Sequence, residues 1–137
     1  MGDYMLLDNF DFRNVVTLRN ISYNENIVEG NPEEIKICDD FEYSYDGNGI
    51  LIVITRKVWF EPVSVFDIEI KAETYLTEIE DSTYDKSEIK LDQFLSEFEP
   101  ILNHMCSKIS SIISIITMAS DNTPLITPPQ IISEEQS

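Results

Sequence analysis

The chain has 137 residues and a formal net charge of −17, with 26 acidic side chains against 9 basic ones. That length fits one domain, residues 1–137, with a single core, and a hydrophobic content of 42% is normal for a globular protein. The excess of acidic residues argues against nucleic acid and anionic membranes as partners, because both require a positively charged binding surface. It favours a protein that attracts basic segments.

The start of the chain, its apolar runs and its cysteines indicate where the protein resides. The first ten residues, MGDYMLLDNF, have no basic region ahead of their apolar residues and do not resemble a secretory signal. No uninterrupted apolar run reaches the ~18–20 residues that span a bilayer. Two cysteines, Cys38 and Cys106, fit reduced thiols. We therefore expect a cytoplasmic protein without membrane insertion, in which residues 1–11 and 130–137 are flexible.

Alternation of apolar and polar residues predicts four β-strands in the first half of the chain. In the second strand, Asp39 is the single polar residue on the apolar side. The third strand begins apolar on both faces, which is typical of a central strand. A change of apolar parity between Leu18 and Ile21 predicts a β-bulge, and Asp46-Gly47-Asn48-Gly49 predicts a hairpin turn. The predicted strands are Phe12–Tyr23, Ile35–Tyr45, Ile50–Phe60 and Val63–Leu76.

Two helices are predicted after the strands. The first is short, Ser87–Phe94, and the second is long, Glu97–Ser120, with Pro100 in its first turn. Apolar residues at helical spacing give the long helix a face wide enough to cover a sheet. The order of elements predicts an α+β fold, in which a four-stranded antiparallel sheet is followed by the short helix and by one long C-terminal helix packed on one sheet face.

The opposite face of the long helix is small and neutral. Lys108 is the one charged residue between Pro100 and Ser120, although a solvated helix face normally collects Glu and Lys. Small side chains let a second surface approach closely. One interpretation is that a partner subunit covers this face in a homodimer or homotetramer, and the other is a serine-rich face exposed to solvent. The candidate interface residues are Asn103, Ser107, Ser110, Ser111 and Ser114.

Residue types that carry catalysis are scarce in this sequence. His104 is the only histidine, and Cys106 lies about 200° from it around the helix, so the two side chains diverge. No nucleophile–base pair, zinc ligand set or glycine-rich phosphate loop is recognisable. We therefore expect no catalytic residue, no metal and no cofactor.

Two groups of side chains are candidates for binding a polypeptide or a protein. Rigid aromatic rings serve as apolar anchors, although each ring taken alone is better explained as part of the core. Acidic residues on the outer sheet face could bind a basic partner, and the alternative is a solvated face. The aromatic candidates are Phe41, Tyr43, Tyr45, Trp59 and Phe60. The acidic candidates are Asp40, Glu42, Asp67, Glu69 and Glu73.

Several short motifs resemble the SecB-type export chaperones. They are Ile101-Leu102, then the run ISSIIS at 109–114, and then Pro124-Leu125 and Pro128-Pro129. In that family Ile-Leu, Ile-Ser-Ser-Leu-Val-Ser and Pro with a later Ala-Pro occur in the same order. LRNISY at 18–23 and FDIEIKAETYL at 66–76 are weaker similarities. The chain departs from the family after Pro129, where a full SecB continues into a further helix that helps to form its binding groove.

The resemblance implies an α+β protein that associates through its long helix into dimers or tetramers. It also implies a non-enzymatic chaperone that holds unfolded polypeptides, which we call clients, on aromatic and aliphatic side chains without ATP. The alternative is an acidic adaptor that binds one specific basic protein partner, related either to an antitoxin or to secretion. An enzyme is the least expected class.

Overall fold

The computed structural model describes residues 10–13, 15–25, 34–61, 66–79, 90–119 and 124–130. Four predicted parts of the chain lie wholly or partly outside these residues: residues 1–9 of the flexible start, most of the stretch between the first two predicted strands, the starts of the fourth strand and of the short helix, and residues 131–137 of the tail. The described elements are β1 (Phe10–Asp11), β2 (Thr17–Glu25), β3 (Glu34–Tyr45), β4 (Gly49–Glu61), β5 (Phe66–Glu78), α1 (Leu91–Glu97) and α2 (Glu99–Ala119).

The strands form one antiparallel sheet with β4 and β5 in its centre. Strand β3 pairs with β4, and β4 pairs with β5. Both β1 and β2 pair with the other side of β5, at residues 77–78 and 66–73 respectively, so they lie one after the other along the same edge. The predicted four-stranded antiparallel sheet is therefore confirmed, with an additional short strand on its first edge.

Phe10 and Asp11 belong to this short strand, although we expected them in a flexible lead-in. The Phe10 ring is 6% exposed. It makes edge contacts with Tyr45 at 6.3 Å and with Phe98 at 6.2 Å between ring centroids. An apolar ring that gains this much burial stabilises the pairing of the strand that carries it.

The predicted irregularities of the sheet are both present. The register of β2 shifts between Leu18 and Asn20, so that Leu18 and Ile21 come to lie on the same face of the sheet. At the β3–β4 turn, Gly47 adopts a positive φ of 94°, a conformation that glycine tolerates. Any side chain at Gly49 would collide with the carbonyl oxygen of Leu76.

Asp46 holds this turn together through its carboxylate. Its Oδ1 accepts the backbone N–H groups of Asn48 at 2.8 Å and of Gly49 at 2.9 Å, and it also accepts the Tyr75 hydroxyl at 2.9 Å. These hydrogen bonds, that of the Asn48 N–H first, lower the pKa of Asp46 because they favour the charged carboxylate. The turn sets the register in which Tyr45 pairs with Ile50.

The long helix α2 packs on β4 and β5, as predicted. It has 21 residues. By its length and its mean hydropathy alone, this helix could cross a membrane. A core helix that packs on a sheet meets the same criteria. The residues of α2 that are buried are Ile101, Leu102, Met105, Cys106, Ile109, Ile113 and Thr117.

A charged pair lies inside this core. Arg56 of β4 is the register partner of Asp39 of β3, and neither side chain has any exposed surface. The Arg56 Nε and Nη2 atoms donate to Asp39 Oδ1 and Oδ2, both at 2.7 Å. This bidentate geometry matches the planar guanidinium to the planar carboxylate.

The remaining N–H groups of Arg56 bind residues 124–130, which we call the C-terminal strap. Nη1 donates to Thr127 Oγ1 at 3.0 Å and to the Pro128 carbonyl at 2.6 Å, and Nη2 donates to the Gln130 carbonyl at 2.8 Å. All five donors of the guanidinium therefore have acceptors. Since a buried charge without partners is strongly unfavourable, Arg56 fixes the strap in place.

The buried pair should dominate the stability of the sheet. The substitution Arg56→Met leaves the Asp39 carboxylate buried without its charged partner. We expect this substitution to lower the free energy of unfolding by about 3–5 kcal/mol. Urea denaturation measures this change. The matched control is Lys57→Met, because Lys57 and Glu69 form a long 3.9 Å pair on the outer face with side chains 50% and 45% exposed. There the change should stay within about 1 kcal/mol, and equal losses in both variants would contradict the prediction.

Candidate functional site

Three of the five predicted aromatic residues, Phe41, Tyr43 and Tyr45, lie along β3, and the first two of them pack against α1. Phe94 of α1 has no exposed surface and stacks on Tyr43 at 3.9 Å and on Phe41 at 5.9 Å between ring centroids. It also stacks on Phe98 at 4.8 Å. The three β3 rings keep part of their surface exposed. We call the connected rings the aromatic row: Phe10, Phe41, Tyr43, Tyr45, Phe94 and Phe98.

Tyr45 ends the aromatic row with a polar contact. Its hydroxyl donates to Glu78 Oε1 at 2.8 Å, which ties the end of β3 to the end of β5. The hydrogen bond to Glu78, followed by burial, raises the pKa of Tyr45 to about 12. The phenol therefore stays neutral and keeps donating throughout the physiological range.

Trp59 and Phe60 lie at the other end of the sheet, about 33 Å along β4 from the Tyr45 end at ~3.3 Å per residue. Phe60 is on the helix-bearing face, edge-on to Phe66 at 5.0 Å. Trp59 is on the outer face, where its Nε1 donates to Glu61 Oε1 at 3.3 Å. A cavity of about 290 Å³ opens beside these two residues. The structure thus brings Phe41, Tyr43 and Tyr45 together and separates them from the other two.

All five predicted acidic residues lie on the outer face of the sheet, together with four of the nine basic residues of the chain. Arg19 Nη1 is 2.7 Å from Glu73 Oε1, and Lys57 and Glu69 form the long pair described above. This face therefore has mixed charge. The acidic residues are Asp40, Glu42, Asp67, Glu69 and Glu73, and the basic residues are Arg19, Lys36, Lys57 and Lys71.

Asp40 and Glu42 are the two acidic candidates that lie on β3, and both are exposed. No ion pair among the described residues involves either of them. A shallow cavity of about 570 Å³ on this face is lined by both carboxylates and by Arg19, Lys57 and Lys71. Basic side chains therefore share the cavity with Asp40 and Glu42, although no described basic residue forms an ion pair with either of them.

The serine face of α2 is divided by the C-terminal strap. Ser110 Oγ donates to the Thr127 carbonyl at 2.6 Å, and Asn103 and Ser114 are half-buried. At the C-terminal end of the helix, Thr117 Oγ1 accepts the Leu125 N–H at 2.8 Å. The chain itself therefore covers part of a face that we assigned to a partner subunit.

Two other serines of this face, Ser107 and Ser111, remain exposed. Ser111 Oγ donates to the Ser107 carbonyl at 3.1 Å, which satisfies the hydroxyl within the helix. The same side of α2 exposes Ile115 at 56% and Met118 at 58%. Small and apolar side chains therefore remain uncovered on the side of α2 away from the strap.

The two residues considered for catalysis, His104 and Cys106, lie in different surroundings. His104 is edge-on to Phe12 at 5.6 Å, and its buried Nε2 has no hydrogen-bond partner among the described residues. Cys106 Sγ lies 4.0 Å from Asp39 Oδ2. Burial, and then the Asp39 carboxylate, raise the pKa of Cys106 to about 12. No three His, Cys, Asp or Glu side chains of the described residues are grouped so that they could hold a metal.

The sequence analysis missed Arg56 and the strap that it binds. A signal was present, because Asp39 interrupts the apolar side of β3 and Arg56 interrupts the apolar side of β4. Counting six residues back from Tyr45 and six forward from Ile50, across the predicted hairpin, places these two opposite each other, as observed. The packing of the strap against Arg56 had no comparable local signal.

Comparison with known proteins identifies the fold. No protein-family model and no curated protein matches the chain. The structure has a SecB-like fold, an antiparallel sheet with helices on one face. A solved structure that shows this is the SecB-like chaperone Rv1957 of Mycobacterium tuberculosis, in complex with a ChAD peptide from the antitoxin HigA1, at 14% sequence identity and a TM-score of 0.66 over 93% of this chain and 91% of that one. The resemblance deduced from the motifs is therefore confirmed at the level of the fold.

Cys106 should be chemically silent while the protein is folded. In a Cys38→Ser variant, Cys106 is the sole thiol, and we expect its alkylation at pH 8 to be as slow as global unfolding, because the thiolate is the nucleophile. The matched variant Cys106→Ser leaves the half-buried Cys38, which should react faster. Mass spectrometry follows both reactions over time. Equal rates for the two variants would contradict this assignment.

The same shift predicts a pH dependence of stability. The pKa of Cys106 is raised from 9.0 to about 12 on folding. Between pH 9 and pH 12, the Cys106 thiol therefore keeps its proton in the folded state and has lost it in the unfolded state. The stability contributed by the neutral thiol is complete below pH 9 and is lost as the pH rises towards 12. The difference in unfolding free energy between the parent chain and Cys106→Ala, measured in urea from pH 8 to pH 11, should therefore shrink as the pH rises.

Proposed function

We propose that this protein is a non-enzymatic, ATP-independent chaperone that holds unfolded or extended polypeptide segments on aromatic and aliphatic side chains. The observation that carries the proposal is the SecB-like fold over 93% of the chain, shared with a chaperone whose structure contains a bound peptide.

Uncovered apolar surface supports the proposal. Leu18 and Ile21 lie on the helix-bearing face of the sheet, yet α2 packs on β4 and β5 and leaves both partly exposed. Ile115 and Met118 on α2 are exposed by more than half. Isolated exposed apolar residues are normal, whereas groups of them mark interaction surfaces. Weak apolar contacts at several such groups would add up along a single extended client.

A second function is favoured by the origin of the peptide in the solved relative. That peptide comes from one antitoxin, which supports an adaptor that binds one specific protein partner. Asp40 and Glu42 would select a basic segment of such a partner, because both carboxylates are exposed and form no ion pair among the described residues. The mixed charge of the rest of the outer face limits this selection to the β3 edge.

We further propose that the protein works in the cytoplasm as a homodimer or homotetramer. The exposed part of the α2 face, with Ser107 and Ser111 beside Ile115 and Met118, is the surface through which copies would associate. Its small side chains permit close approach, and its lack of acidic residues removes the repulsion that a net charge of −17 would cause elsewhere.

Suppression of aggregation tests the chaperone function. The purified protein should slow the light-scattering increase of a chemically unfolded client at about one oligomer per client, without ATP. Several unrelated clients should be protected, because apolar contacts are not specific to one sequence. Protection of none of them would contradict the proposal.

Salt separates the two functions. Capture of a client by apolar contacts should change little between 50 mM and 1 M salt, whereas adaptor binding should weaken steeply, since the Debye length falls from about 14 Å to about 3 Å. Binding constants measured by fluorescence anisotropy over this range distinguish them. A steep loss for every client would favour the adaptor.

Ser111→Glu tests the helix interface. A buried carboxylate on each copy would be unpaired at the interface, so the oligomer should dissociate while each subunit remains folded by circular dichroism. Ser44→Glu is the matched control, because Ser44 is an exposed serine on the opposite face of the sheet. The solution mass from light scattering should halve or quarter in the first variant and stay constant in the second. Unchanged mass in both would place the interface elsewhere.

A further inference from the structure

The β3–β4 turn contains the one Asn-Gly pair of the sequence, Asn48-Gly49. Asparagine followed by glycine is prone to spontaneous deamidation, because glycine has no side chain to keep the asparagine carboxamide away from its backbone nitrogen. Asn48 is exposed, so water reaches this carboxamide. By its sequence alone, the turn is therefore a site where the protein should lose ammonia and gain a negative charge as it ages.

The reaction begins at the backbone nitrogen of Gly49. This nitrogen gives up its proton to solvent and attacks Cγ of Asn48, so that an N–Cγ bond forms and the side-chain nitrogen leaves as ammonia. The intermediate is a five-membered succinimide ring. Water then opens the ring at one of its two carbonyl groups and leaves either aspartate or isoaspartate. The net change is that an amide and one water become a carboxylic acid and ammonia.

In the folded turn, the attacking nitrogen is held by the Asp46 carboxylate. The Gly49 N–H donates to Asp46 Oδ1 at 2.9 Å, and the same oxygen accepts the Asn48 N–H at 2.8 Å. Loss of the Gly49 proton is disfavoured there, because the resulting anion would lie beside a negatively charged oxygen. The Tyr75 hydroxyl donates to both Asp46 oxygens, at 2.9 and 3.0 Å, and keeps the acceptor in place.

The backbone on both sides of the reacting bond is also held. The Asn48 carbonyl accepts the Glu78 N–H at 2.8 Å, and the Gly49 carbonyl accepts the Asp46 N–H at 3.1 Å. Gly49 is buried, and a carbon atom added at its Cα would collide with the Leu76 carbonyl oxygen. Rotation of this backbone towards ring closure therefore breaks hydrogen bonds or contacts with β5, each of which has a cost.

We infer that Asn48 is a site of spontaneous deamidation, that Asp46 protects it, and that the reaction proceeds when the end of the β3–β4 hairpin opens locally. Turns open in this way without unfolding of the whole domain. The change is irreversible. Isoaspartate would add a methylene group to the main chain between the paired residues Tyr45 and Ile50, and either product places a second carboxylate beside Asp46. This inference is independent of the proposed chaperone function.

Mass spectrometry after digestion at acidic pH measures the reaction, because the side-chain NH2 is replaced by OH. The full chain, incubated at pH 8, is compared with the free peptide of residues 44–51, which is too short to hold the turn. We expect the peptide to deamidate more than about tenfold faster. In the full chain, Asp46→Ala removes the acceptor of two N–H groups and should raise the rate at Asn48 about tenfold, the effect of two hydrogen bonds of ordinary net strength.

The matched control is Ile113→Val, which removes a buried methylene group from α2 and destabilises the fold without touching the turn. Its rate at Asn48 should change less than about twofold. Asp46→Glu keeps the charge but displaces the acceptor, so its rate should be intermediate, and it replaces Asp46→Ala if circular dichroism shows that variant to be unfolded. Equal acceleration in the Asp46 and Ile113 variants would overturn the inference in favour of protection by the whole fold.

Two other results would also overturn the inference. Slower deamidation in Asp46→Ala would show that the carboxylate acts as a base for the reaction and not as a protecting group. A parent chain that reacts as fast as the free peptide would show that the folded turn gives no protection.

Discussion

Burial of the Arg56 guanidinium is the constraint on which the rest of the architecture depends. A charge without exposed surface is tolerable only when its partners are complete, and those partners come from three parts of the chain. Asp39 fixes the register of β3 against β4, because a slip of one residue would move its carboxylate to the outer face. Thr127 and the carbonyls that follow it fix the strap. One side chain thus joins the sheet edge to the segment that follows α2.

The strap changes how the long helix meets its surroundings. Ser110 and Thr117 are bound to residues of the same chain, while Ile115 and Met118 stay uncovered. The helix therefore has three sides, of which one packs on the sheet, one lies against the strap and one is available to other molecules. The small, neutral composition that suggested a partner subunit serves at least partly to admit the strap, since a larger residue at position 110 would hold Thr127 away from Arg56.

The sequence predicted those parts of the fold that depend on local patterns. The alternation in β3 and β5, the turn at Asp46-Gly47-Asn48-Gly49 and the bulge after Leu18 are each set by neighbouring residues, and each is present. Phe10 was predicted to lie in a flexible segment, because a strand of two residues is too short to show a periodicity in the sequence. Its ring packs against Phe98, which is far away in sequence. The five aromatic candidates form two separate groups in the structure. Tyr45 lies opposite Ile50 at one end of β4, whereas Trp59 and Phe60 lie at the other end of that strand.

The anchoring of the strap also has a consequence for the order in which the chain matures. Thr127 follows Arg56 by 71 residues, which a ribosome adds in about 4–14 s at ~5–20 residues per second. During that interval the nascent sheet can assemble the salt bridge to Asp39 but not the other three bonds of the guanidinium. The partners of Arg56 in the nascent sheet therefore stay incomplete until residues 124–130 have been synthesised and can dock.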